Sequence, residues 1–431
     1  MKDKIFIKGT VYIIASGVLG AVVGALVWLF LRAVSLATEF VWDFIPERFD
    51  VPCYTIIVCL IGAVIIGVLR LAFGNYPETM EEVMGRVKRD GKYPYDKIFA
   101  MMLCAFVPLV FGGSLGPEAG LTGVAVGLCY WVGDRLKLVG KSLKNFSTLG
   151  INAALGVIFG SPLFGLAAEI EPDSDGGEDF IMPKKFDVFS KVIAALGGLC
   201  AYFLLGQFFG SAMAFTILTA DKITNYDRLM GIPFILIGIF FGMLYVLFRK
   251  IAALLFGKLK KTRFLSFVSV ILGGLILGIM GTLLPMTMFS GEEQMSQLAQ
   301  SYTQFAPGVL ILLGTAKLLV TNCCIYSGWK GGNFFPMIFS GVAVGYGFSM
   351  LFETGAAMTV ATITAALLAV NLRKPVAVSL LLLLCFPVRV IPWMILASFA
   401  AANLPLPKFL LLPEQLEELK KKKAEKDNKV K

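Results

Sequence analysis

The stretch "GGSLGPEAGLTG", residues 112–123, decides how this chain is read. It follows "IFAMMLCAFVPLVF", residues 98–111, an apolar run of the kind that lies deep in a membrane. Gly and Pro interrupt a helix, and in lipid an interrupted helix leaves backbone N–H groups with no water to bond. A break is tolerated there only where something else satisfies those donors.

The whole chain supports that setting. Of its 431 residues, 57% are hydrophobic and 16% are charged. Soluble domains are about 45–50% apolar and about 25% charged. The mean hydropathy is +0.79. These values define an integral membrane protein with no room for a large soluble domain. The first apolar run, "VYIIASGVLGAVVGALVWLFLRAV", is too long for a signal-peptide core and is read as a retained membrane helix.

The formal net charge of +10 does not point to nucleic acid. The charge sits in short loops and in the tail. Residues Arg249 to Arg263 carry six Lys/Arg and no acid, and the tail adds Lys420, Lys421, Lys422 and Lys423. Positive loops mark the cytoplasmic side and can attract anionic lipid. The reading is a cell-membrane protein with both termini cytoplasmic.

There is no His, which excludes mechanisms that need imidazole. The eight Cys lie in apolar runs without a Cys-x-x-Cys pair, so neither a disulfide nor a metal site is expected. No cofactor is implied. No paired nucleophile and base is visible, so the chain reads as a transporter and not an enzyme.

Apolar segments of spanning length recur from residue 8 to residue 404, several of them short or broken by Gly and Pro. Residues 413–431 form a charged tail. The chain also repeats itself. "GALVWLFLR" (24–32) resembles "GMLYVLFR" (242–249), and "LTGVAVGL" (121–128) resembles "FSGVAVGY" (339–346). Gly113/Pro117 recurs as Gly332/Pro336. The offsets are 217 to 219 residues. The chain therefore divides into a membrane domain, 1–412, with related halves at about 8–218 and 226–405, followed by the tail.

Paired halves with interrupted segments at equivalent positions are a pointer to a transporter with its site near the midplane. A helix that starts inside the membrane presents free N–H groups and the positive end of its dipole, which suits an anion. The candidate starts are "GGSLGP" leading into 117–133, "KGGNFFP" leading into 334–352, and "GNYPETMEEV" at 74–83. The expected fold is an all-α polytopic protein of two inverted-topology repeats with broken, re-entrant helices.

At these residues the chain resembles the CLC family of chloride channels and chloride/proton antiporters. "KLLVTNCCIYSGWKGGNFFPMIFSGVAVG" (317–345) is similar to the family's Ser-Gly-x-x-Gly-Gly-x-Phe-x-Pro element. "GGSLGPEAG" resembles its Gly-Lys/Arg-Glu-Gly-Pro element, and "FGSPLFGLAAEIEP" (159–172) its Asn-x-Pro-Leu-x-Gly element. "FGNYPE" (73–78) loosely resembles Gly-Ser-Gly-Ile-Pro-Glu. The resemblance implies a homodimer in the lipid bilayer, each subunit with its own pathway for chloride or another small anion. It places the anion-binding positions at Gly74, Asn75, Ser114, Leu115, Gly116, Asn333, Phe334 and Phe335, with Phe386 and Pro387 standing where the family has a pore-lining Tyr.

The departures bear on coupling. In this register the family's gating glutamate falls on Leu115, and the second acidic residue that carries protons in exchangers falls on Pro172, next to Glu171. Neither Leu nor Pro titrates, so passive conduction of small anions is the expected function. The alternative is anion/proton antiport using substitute carboxylates. Glu118 and Glu171 are the candidate gate or proton groups. Glu118 lies one turn beyond Leu115, and it also reads as a first-turn carboxylate that stabilises its own helix start. Arg389 reads either as a vestibule charge or as an interfacial Arg. The acidic, Gly-rich loop "EPDSDGGEDF" reads as solvated.

Overall fold

The computed structural model describes residues 2–74, 76–90, 93–135, 141–161, 184–210, 223–259, 262–383 and 385–412. The described chain is helical, and the one β-bridge in it joins Gly116 to Gly332. The helices are α1 (Lys2–Glu39), α2 (Tyr54–Phe73), α3 (Met80–Asp90), α4 (Ile98–Val110), α5 (Glu118–Arg135), α6 (Lys141–Ile158), α7 (Lys184–Phe209) and α8 (Asn225–Leu259). The second part holds α9 (Arg263–Leu283), α10 (Glu292–Ser301), α11 (Pro307–Ser327), α12 (Phe334–Leu351), α13 (Ala356–Leu372), α14 (Pro375–Leu382) and α15 (Ile391–Asn403).

Among the described residues, seven helices are long and apolar enough to cross a membrane, and four shorter apolar helices accompany them. The chain is an integral membrane protein. Its outer helices show an apolar face to lipid: Phe203, Leu204 and Phe208 on α7, and Leu229, Ile232 and Leu236 on α8, are exposed. The inner ones do not. α12 and α13 are buried on nearly every side, as expected of helices that are apolar all round.

Small residues set the close packing. A Cβ added at Gly20 would come within 1.9 Å of the Ala194 carbonyl oxygen on α7, and one at Gly24 within 2.1 Å of the Gly198 oxygen. In the second half a Cβ at Gly238 would meet the Ile363 oxygen on α13 at 2.6 Å, and one at Gly242 the Leu367 oxygen at 3.0 Å. These glycine pairs stand at the 218-residue offset that relates the two halves. Equivalent glycines thus do the same work, letting α1 lie on α7 and α8 on α13.

Polar side chains close the remaining joints. Asp227, in the first turn of α8, accepts hydrogen bonds from the Thr224 N–H (2.7 Å) and hydroxyl (2.8 Å) and from the Gly355 N–H (2.8 Å). One carboxylate therefore caps α8 and ties it to the start of α13. Lys317 sits in the middle of α11 and is fully buried. Its ammonium donates to the carbonyls of Met288 (2.7 Å), Phe289 (2.9 Å) and Met286 (3.3 Å) and lies 4.9 Å from the Phe339 ring centre. The segment between α9 and α10 is pinned to α11 by this one side chain.

Candidate functional site

The two Gly-rich breaks meet. Gly116 and Gly332 donate their N–H groups to each other's carbonyls, both at 2.8 Å. The breaks lie on neighbouring strands of backbone in the core. Ser114 and Leu115 are fully buried, and the Ser114 hydroxyl lies 2.9 Å from that of Thr321 on α11.

This contact changes what the first break offers. Gly113 donates to the Pro108 carbonyl at 2.8 Å, Leu115 to Gly113 at 2.7 Å, and Gly116 to Gly332. These three donors are taken by protein carbonyls, so Gly113, Leu115 and Gly116 offer no free N–H groups. At 74–83 the helix starts only at Met80, and Thr79 and Glu82 exchange hydrogen bonds across its first turn (2.8 and 3.2 Å), a capping box. The donor at the meeting point comes from the second half. The Phe334 N–H, at the start of α12, is bonded at 2.8 Å to a carboxylate oxygen.

That carboxylate belongs to Glu118. Its side chain is buried and crosses from the first turn of α5 to the first turn of α12. Oε1 accepts from Phe334, and Oε2 is enclosed without a hydrogen-bond partner among the described residues. A Cβ on Gly116 would lie 1.9 Å from Oε2, and one on Gly332 would lie 1.9 Å from Cδ. The glycines are there because the carboxylate lies directly against the backbone. Beyond its own helix start, Glu118 satisfies a backbone donor of α12.

Aromatic rings wall the site. Phe159 stacks on Phe335 (5.3 Å between centres, 26° between planes) and meets Phe334 edge-on (5.4 Å, 76°). Asn333 donates from Nδ2 to the Tyr245 hydroxyl at 2.9 Å.

Cavities of opposite character approach Glu118. One, of about 240 Å³, is lined by Glu118 itself with Tyr245, Asn333, Arg249, Asn371 and Lys374. A larger one beside it, of about 620 Å³, shares Gly331 and is lined by Gly74, Arg70, Arg263, Lys330 and Thr79. These two are basic. Burial lowers the Lys330 ammonium from its ordinary range, against the pull of Glu82, whose carboxylate is 3.8 Å away. A third cavity, of about 230 Å³, is acidic. It reaches Pro117, the residue before Glu118, and is lined by Glu39, Asp43, Glu292 and Glu293.

The structure therefore brings together Ser114, Leu115, Gly116, Glu118, Asn333, Phe334 and Phe335, with Gly74 on the wall of the adjoining basic cavity. Phe386 is buried in the turn after α14, and Pro387 follows it; neither lines these three cavities. Arg389 is exposed. Asn75, Glu171, Pro172 and the acidic loop lie outside the described residues. Sequence reasoning missed Phe159, Tyr245, Lys317 and Glu292. Lys317 carried a signal: it is the one charge in the run 307–327, and an ionisable residue inside a membrane is retained for a reason. The other three carried none.

Helices that start inside a membrane protein and meet at a buried point, with cavities reaching it, are the arrangement of a transporter-type membrane protein. More narrowly, residues 62–405 match the family model of the voltage-gated chloride channel, and the chain belongs to that family, the CLC proteins. The "Putative ion-transport protein YfeO" of Escherichia coli O1:K1 / APEC is 26% identical over 323 residues, 73% of each chain. The protein of that name from Salmonella choleraesuis is 26% identical over 73% of this chain and 74% of its own. Among solved structures, a slow cyanobacterial Cl⁻/H⁺ antiporter superposes with a TM-score of 0.75 at 20% identity, covering 91% of this chain and 93% of its own. A CLC-type fluoride/proton antiporter gives 0.70 at 18% identity, covering 91% and 94%. The chain shares their fold.

Proposed function

We propose that the protein carries chloride or a similar small anion between the basic and acidic cavities, and that Glu118 is the proton-sensitive gate on that route. The observation that carries this reading is the Glu118–Phe334 hydrogen bond. A carboxylate is itself an anion, and here it occupies the N–H at a buried helix start, where a free anion would otherwise bind. Anion and side chain cannot hold that donor together. Protonation removes the charge that competes with the anion, so acid opens the site and alkali closes it.

The motif itself does not carry the reading: set three residues further on, the family's Gly-Lys/Arg-Glu-Gly-Pro element matches only Gly116 and Glu118, and the register that puts Leu115 at the glutamate position matches better. The names of the two structural neighbours describe proton-coupled exchange, which agrees with the antiport alternative. Passive conduction is the second reading. One feature favours it: Pro172 stands where a second proton-carrying acid is expected. We place the basic cavities on the cytoplasmic side, by the charge of residues 249–263, and the working unit as a homodimer.

Purified protein in liposomes, loaded with chloride and given no pH gradient, tests the proposal. Chloride efflux that drives protons uphill, and loses that ability in Glu118→Gln, is expected. Efflux with no dependence on pH and no change in Glu118→Gln would overturn the role of Glu118. Efflux that is gated by pH but moves no protons would select the passive reading.

A further inference from the structure

The larger basic cavity has more room and more charge than one small anion needs. Its volume is about 620 Å³. Small-molecule sites run from about 300 to about 1,000 Å³. Among the described residues, the charged side chains on its wall are Arg70, Arg263, Lys330 and Glu82. Three cations against one carboxylate leave a surplus of two positive charges. A halide supplies only one negative charge.

These side chains are brought together from separate elements. Arg70 is in the last turn of α2, Arg263 begins α9, Lys330 lies between α11 and α12, and Glu82 is in the first turn of α3. The fold makes room for Arg70. Gly328 closes α11 at a φ of +117°, and a Cβ there would lie 1.9 Å from Nη1 of Arg70. Glu82 is already engaged: its Oε2 accepts from the Thr79 N–H at 2.8 Å. The Lys330 ammonium is 3.8 Å from that oxygen, too far for a hydrogen bond. Burial lowers the Lys330 ammonium, Glu82 opposes the fall, and the like charge of Arg70 adds to it. Cations gathered in this way repel one another, and a doubly charged anion between them relieves the repulsion.

We propose that this cavity binds a phosphate monoester, and that the bound molecule blocks the route to Glu118. Such a group carries a charge of about −1.5 to −2 at neutral pH and three acceptor oxygens. A guanidinium meets those oxygens with two parallel N–H donors, and a Lys adds a point charge. Thr79, Ser266 and Tyr326 contribute hydroxyl-bearing side chains to the wall. Leu71, Phe267 and Ile325 give the organic part of the ester an apolar surface. Thr79, Ile325, Tyr326 and Gly331 also line the cavity that holds Glu118. A molecule in the larger cavity therefore stands at the entrance to the smaller one. The block rests on the anion route proposed above; the binding does not.

Calorimetric titration of the detergent-solubilised protein with phenyl phosphate, and with sulfate as a dianion lacking the organic part, tests the site. Phenyl phosphate should bind more tightly than sulfate. Arg263→Gln and Lys330→Gln should each weaken it by about tenfold or more. Equal binding of the two anions would overturn the assignment to a monoester, and native-like binding in both variants would overturn the site. Arg263 is exposed, so Arg263→Gln keeps the test available if Lys330→Gln does not fold. Chloride flux in proteoliposomes then tells the sources apart. A fall caused by added phenyl phosphate marks a soluble ligand, and a fall caused by phosphatidic acid in the bilayer marks a lipid headgroup. Either effect should weaken in Arg263→Gln. Binding without an effect of either on flux would overturn the block. Failure of the Glu118 reading shows instead as a native-like flux profile in Glu118→Gln, and it leaves the binding as it is.

Discussion

Gly116 and Gly332 hold each other through two reciprocal backbone hydrogen bonds of 2.8 Å, although 216 residues separate them. This short bridge satisfies donors that two interrupted helices would otherwise leave bare in a dry core. It also leaves the Glu118 carboxylate lying across both glycines, bonded to Phe334.

Replacing Gly332 by Ala should therefore disturb the gate. The new methyl would sit 1.9 Å from Cδ of Glu118, a contact that forces the carboxylate off Phe334 or the bridge apart. Overpacking of this kind costs about 1–3 kcal/mol. Gly332→Ala should show a lowered melting temperature in detergent together with altered pH dependence of flux. Gly257→Ala makes the control, because an added Cβ there meets nothing within 4 Å.

Truncating the gate should expose the site. Glu118→Ala frees the Phe334 N–H, so chloride should bind more tightly than to the native protein at neutral pH. Calorimetric titration of both proteins with chloride checks this. The native protein should approach the affinity of Glu118→Ala as pH falls, because protonation removes the competing charge. Equal affinities at neutral pH would mean that the carboxylate does not compete with the anion.

Lys317→Met should destabilise the fold. The substitution removes one buried ammonium and leaves three carbonyls, of Met286, Met288 and Phe289, without that donor. An expected loss of about 2–4 kcal/mol follows from unsatisfied buried groups. Thermal unfolding in detergent measures it. Because Phe289 also donates its N–H to the Gly112 carbonyl at 3.1 Å, the loss should reach the first break and lower transport in the protein that remains folded.

Asp227→Asn should loosen the joint between α8 and α13. The carboxylate accepts from two elements at once, at 2.7 and 2.8 Å. An amide presents one acceptor oxygen in place of two and no charge, and the expected cost is about 1–2 kcal/mol. Hydrogen exchange at Gly355 should speed up, with little change at Phe334.

The amino-acid sequence by itself determined that the protein lies in a membrane, that it is built of helices and that it repeats. Those features follow from local rules: apolar runs of spanning length, and Gly and Pro where helices stop. The repeat could be read because residues 24–32 return as 242–249 and 121–128 as 339–346, and because Gly113 and Pro117 return as Gly332 and Pro336. It also marked the two breaks that meet at Gly116 and Gly332, since an interrupted helix in lipid has to be satisfied from somewhere.

Only the tertiary structure decided which group does the satisfying. From the sequence, the N–H groups around Ser114–Gly116 looked open to an anion; folded, those of Leu115 and Gly116 are bonded to carbonyls, one of which is 216 residues away. Glu118 could be read as a cap for its own helix or as a gate, because one turn of helix cannot show what lies across from it. It lies against Phe334 because α5 and α12 start at the same point from separate halves of the chain. Glu292 gave no sign at all: it reads as a first-turn acid of a short helix, and only the folded chain encloses its Oε1. Periodicity and composition report what each segment buries. They do not report which segment it is buried against, and the chemistry of this site is set by that pairing.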